Sequence, residues 1–122
     1  MIKRELIKKA DKIFREHLWE CWLNEVETLC FICNHLNGLE VGHYESRSHH
    51  LIRYDEVNCH LICRSCNMKQ KIEGQNGKTA QLYKEKIIEK YGINEFNRIL
   101  SLKNKKITVE ELLNIIERYE NG

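Results

Sequence analysis

Along the first 29 residues, Ile2, Leu6, Ile7, Ala10, Ile13, Phe14, Leu18, Cys21, Trp22 and Val26 recur at spacings of three and four. That stripe predicts an amphipathic helix from Ile2 to about Leu29, with room for a break near Cys21. Lys3, Lys8, Lys9, Lys12 and Arg15 fall on its wet side, and Trp19 and Trp22 are expected to pack against the cysteine-bearing lobe that follows, read below as a zinc lobe. Periodicity then stops. CFICNHLNG (residues 30–38) closes on Asn37-Gly38, a tight-turn signal, and alternation over Leu39 to Tyr44 predicts a short strand. The polar run Glu45 to Asp55 reads as a surface loop, and VNCHLI (Val57 to Ile62) as a second strand. After Cys63 the alternation is lost again, so RSCNMKQKI should open a helix with Asn67 near its start. The glycines of EGQNGK end that helix. A further helix runs from Thr79 to Tyr91, stopped by Gly92, and Asn94 is placed to cap another carrying Phe96, Ile99 and Leu100. Thr108-x-x-Glu111 has the form of a capping box ahead of Leu112, Leu113, Ile115, Ile116 and Tyr119. The fold class expected is mainly α with a small β-hairpin. The three C-terminal helices are expected to pack on the first.

Composition agrees with helix and narrows the setting. With 42% apolar and 31% charged residues, 6 Gly and no Pro, the chain holds few helix breakers, and its 122 residues suit one domain. We divide that single domain, 1–122, into an N-terminal helix (1–29), a central core (30–72) and a helical C-terminal part (78–122). A net charge of +2 does not announce a nucleic-acid partner, so any such role must rest on a local patch. No signal peptide or membrane span is visible, and a cytoplasmic, non-membrane protein is expected.

In that compartment thiols stay reduced, so cysteine spacing becomes informative. Cys30/Cys33 and Cys63/Cys66 are two Cys-x-x-Cys pairs from separate parts of the chain, the ligand set of a closed tetrahedral structural zinc site. Cys21 and Cys59 are left as small core residues. The interval between the pairs exceeds that of simple zinc ribbons, and the extra residues carry polar chemistry. His43 is the candidate general base, since a neutral imidazole titrates near pH 7. Asn58 lies on the expected partner strand, where its amide can fix the aim of that imidazole or its backbone. Asn67 offers an oxygen to a hard divalent cation, Mg²⁺ or Mn²⁺. Arg47, Arg53, Lys69 and Lys71 surround the same insert and can grip phosphates. His17, His35, His49 and His50 are read as surface or packing residues.

A cysteine pair, then Gly-His-Tyr, an Asn and a second pair continuing as Cys-x-x-Cys-Asn resembles the HNH (ββα-metal) nucleases. More closely, Gly42-His43-Tyr44, Ser46-Arg47, Arg53-Tyr54-Asp55-Glu56, Asn58-x-His60 and Cys63-x-x-Cys66-Asn67 are similar to the phage lambda NinG (Rap) recombination proteins. The resemblance reaches upstream to Asp11-x-Ile13-Phe14 and downstream to Tyr83 and Tyr91-Gly92. It implies a zinc-stapled ββα-metal core flanked by helices, and a phage- or prophage-encoded endonuclease acting on branched DNA in the bacterial host cell. It also implies His43 as base, Asn58 orienting it, Asn67 on the catalytic metal and the four cysteines on structural zinc.

Two positions depart from the pattern. Many HNH enzymes carry an acidic or His metal ligand just before the base, where this chain has Gly42. Glu40 on the same strand face, or His60 on the face of Asn58, is the expected replacement, and His60 is preferred as part of Asn-x-His. Ile62 stands where the lambda-like proteins are expected to carry Gln. The alternative function is a non-catalytic zinc-ribbon module binding nucleic acid, and RNA is an alternative substrate. A symmetric junction would suit a homodimer that cuts both strands.

Overall fold

The computed structural model describes residues 2–23, 29–35, 38–46 and 48–120, with the backbone alone at Trp22 and Leu23. Helix α1 spans Ile2–Leu23, and β1 (Leu39–His43) pairs antiparallel with β2 (Cys59–Cys63). Helix α2 follows β2 without a break (Arg64–Glu73), then come α3 (Lys78–Tyr91), α4 (Ile93–Leu102) and α5 (Val109–Glu120). The architecture is mainly helical around one two-stranded sheet. Residues 24–28 of the expected first helix, the Asn37-Gly38 turn's first residue and Arg47 lie outside the described residues, while Leu29 is described and is not helical.

The hairpin is held between two hydrophobic cores. On one side Ile62, Cys30, Ile32 and Tyr44 pack with Ala80, Tyr83 and Ile87 of α3 and Phe96 and Ile99 of α4. On the other, Cys59 and Val41 pack with Ala10, Phe14 and Leu18 of α1 and with Leu112 and Ile116 of α5. Every residue of β2 is buried in consequence. Among the described residues, α5 packs on α1 as expected, whereas α3 and α4 cover the opposite side of the sheet. Cys59 is the core residue expected, whereas Cys21 is exposed, within 3.5 Å of the His17 imidazole.

The register pairs Gly42 with His60 and His43 with Cys59. Alternation then puts Glu40, Gly42, His60 and Ile62 on one sheet face, and Val41, His43, Cys59 and Leu61 on the other. Within the 44–58 connection, His50–Ile52 make one 3₁₀ turn. Among the described residues no helix is long and apolar enough to cross a membrane.

Candidate metal centre and catalytic cleft

The four sulfurs of Cys30, Cys33, Cys63 and Cys66 lie within 4.8 Å of one another. A tetrahedral zinc with Zn–S bonds of about 2.3 Å needs sulfurs roughly 3.8 Å apart, and Cys33 and Cys63 stand at 3.7 Å. Each pair is pre-turned by its own backbone, Cys33 N–H donating to Cys30 Sγ and Cys66 N–H to Cys63 Sγ, both at 3.4 Å. Asn34 closes the first knuckle with a left-handed φ of 65°, which Asn tolerates better than most residues. Phe31 N–H donates to Leu61 O (3.0 Å), and Cys63 is the N-cap of α2, so the hairpin itself brings the pairs together. Burial pushes Cys66 far above an ordinary thiol, and the crowding of neighbouring thiols adds to it; a bound dication removes that penalty by holding thiolates. The quartet fits structural zinc.

His43 ends β1. Its Nε2–H donates to the carbonyl of Arg53 at 3.0 Å, which puts the lone pair on Nδ1. That carbonyl is held in turn. The Arg53 guanidinium donates twice to Asp11 of α1 (2.9 and 2.6 Å), and the Tyr54 hydroxyl donates to the same carboxylate at 2.8 Å. Arg53, read from the sequence as a phosphate contact, thus spends its side chain joining the loop to α1.

Asn58 is fully buried, and its amide staples the loop rather than the imidazole ring. Its Oδ1 accepts from Glu45 N–H (2.7 Å), its Nδ2 donates to Glu45 O and Ile52 O (both 3.1 Å), and its carbonyl accepts from Tyr44 N–H (2.8 Å). The segments on both sides of His43's acceptor are fixed this way.

A cavity of about 430 Å³ opens beside His43, lined also by Glu40, Tyr44, Ser46, Asn67, Gln70 and Lys71. Helix α2 presents Asn67 and Gln70 to it, three residues apart and therefore on one helix face. Asn67 Nδ2 donates to Glu40 Oε1 at 2.7 Å. Gln70 Nε2 donates to the carbonyls of His43 and Tyr44, both at 3.0 Å, clamping the end of β1 to α2. Lys71 lines the cavity and Lys69 is exposed nearby on the same helix. Sequence reasoning missed Gln70, since a Gln inside a helix carries no spacing signal of its own.

His60 is placed otherwise than expected. It is 1% exposed and stacked on Phe31 at 3.8 Å, and it does not line the cavity that holds Asn67. The Tyr83 hydroxyl donates to Gly42 O (3.0 Å), so His60 Nδ1–H donates to Tyr83 Oη and Nε2 accepts from Tyr91, both at 2.9 Å. Burial, with the charges of Lys90 and His43, pushes His60 down to about 3 and keeps it neutral. It is a structural bolt between the hairpin and α3.

Neither a curated protein nor a solved structure is detectably similar to the chain. The family model described as bacteriophage lambda NinG protein matches residues 2–122. By that match over nearly its whole length, the chain belongs to the bacteriophage lambda NinG protein family.

Proposed function

We propose that the protein is a metal-dependent DNA endonuclease of HNH type, specific for branched recombination intermediates and acting in the bacterial host of a phage or prophage. The observation that carries the reading is His43, with Nε2 fixed on the Arg53 carbonyl, at the wall of a cavity it shares with Asn67. Family membership supports a role in phage recombination.

In this mechanism His43 Nδ1 takes a proton from water as the water oxygen attacks phosphorus and the P–O3′ bond breaks. Asn67 would hold a divalent cation, which would supply positive charge to the phosphoryl oxygens and the departing oxygen. The Arg53 carbonyl keeps the His43 proton on Nε2, and Asp11 and Asn58 keep that carbonyl in place. Lys71 and Lys69 hold flanking phosphates, a contact without sequence information whose strength falls with salt. The cysteine quartet holds zinc for structure alone.

Zinc-loaded protein incubated with Mg²⁺ or Mn²⁺ and a four-way DNA junction should cut it, with linear duplex and RNA as parallel substrates. His43→Ala should lower the rate about 100- to 10,000-fold without changing the circular dichroism. Equal cutting by that variant rejects the assignment. Gly42, which offers no ligand at the position before the base, favours a second reading as a non-catalytic zinc module. Junction binding without cleavage under any divalent ion would select it.

A further inference from the structure

A Cβ built on Gly42 would stand 3.4 Å from Asn67 Oδ1, so the position before the base does face the amide proposed to hold the cation. The same Cβ would overlap Ile62 Cδ1 and lie 2.5 Å from Ile62 Cγ1. The isoleucine therefore occupies the volume that an acidic side chain at position 42 would need. Glu40 lies one pleat away on the same face, and its carboxylate is already joined to Asn67 at 2.7 Å. Gln70 supplies an independent sign. Its Oε1 is buried with no hydrogen-bond partner among the described residues, although the residue is only 8% exposed and lines the same cavity. An acceptor left unpaired in this way is costly unless a ligand satisfies it.

Resting on the nuclease reading above, we propose that Glu40 is the acidic ligand of the catalytic cation, displaced by one pleat from the position that Gly42 vacates and Ile62 fills. Asn67 Oδ1 and the Glu40 carboxylate provide hard oxygens of the kind Mg²⁺ and Mn²⁺ take. Such ions keep several waters, and Gln70 Oε1 accepts from one of them. The hydrogen bond from Asn67 Nδ2 to Glu40 sets the amide so that its oxygen, rather than its nitrogen, is the donor atom offered to the ion.

Mn²⁺ binding to the zinc-loaded protein, followed by electron paramagnetic resonance and calorimetry, tests this without using cleavage. Wild type should bind one Mn²⁺. Glu40→Gln keeps an oxygen to accept from Asn67 but removes the charge, and should weaken Mn²⁺ roughly tenfold or more. Zinc content and circular dichroism should be unchanged. Gly42→Asp together with Ile62→Ala should restore binding in the Glu40→Gln background, whereas Gly42→Asp alone, meeting Ile62, should not. Wild-type affinity in folded Glu40→Gln overturns the assignment of Glu40 and leaves the nuclease reading standing. No Mn²⁺ bound by wild type overturns that reading and this assignment with it.

Discussion

Asn58 makes three side-chain bonds inside the core that stand in for a stretch of sheet ladder and tie the loop down beside the cleft. Asn58→Ala leaves a buried N–H and two carbonyls without partners, and should lower stability by about 2–3 kcal/mol in thermal melts. Asn58→Asp should lower it further, since a buried carboxylate would face the two carbonyls that Nδ2 now serves. His60 makes a pH prediction. Its folded pKa of about 3 lies below the unfolded value of about 6.5, so between these the unfolded chain binds the extra proton. The stability this contributes is complete above pH ~6.5 and is lost as pH falls toward ~3. Melting temperatures at pH 7.5 and 5.5 should therefore differ less in His60→Gln than in wild type. Spacing alone picked out His43 and Asn67 as residues, and both line one cavity. It could not tell Asn58's amide from an imidazole partner, or His60 from a ligand, because burial and the tyrosines that engage it come from α3, far along the chain.

At the scale of elements, periodicity located the five α-helices and both strands of the described residues, with differences at their ends, and gave no sign of the 3₁₀ turn His50–Ile52. The second strand runs Cys59–Cys63 rather than from Val57, because residues 56–58 turn: Asn58 N–H donates back to Asp55 O (2.9 Å), and only its carbonyl still bonds across to Tyr44 N–H. Helix α4 begins at Ile93, not after an Asn94 cap: Gly92, with φ of 92°, ends α3 and starts α4 in one residue. The capping box is formed as the sequence implies, with Glu111 N–H donating to Thr108 Oγ1 (3.1 Å) and Thr108 N–H to Glu111 Oε1 (3.0 Å). Thr108→Ala should cost about 1 kcal/mol, a drop of a few degrees in the melting temperature.

For the molecule as a whole, the hairpin is a shared wall between two cores, and the cysteine quartet closes one edge of it. Such zinc sites contribute roughly 10 kcal/mol or more of apparent folding free energy, comparable to the stability of an entire domain. Stripping zinc with a chelator should therefore unfold the protein, seen as loss of the helical circular dichroism signal; a stripped sample with an unchanged spectrum and melt would contradict this. The sequence alone determined the helices, the strands and the sulfur quartet, because each is written in local spacing: 3.6 for a helix, 2 for a strand, two residues between turn-forming cysteines. Only the tertiary structure decided that Arg53 turns to Asp11, that His60 lies between two tyrosines, and that Glu40 rather than His60 stands beside Asn67. Those outcomes depend on which face of each element meets which neighbour, and packing sets that by burying the largest apolar surface available.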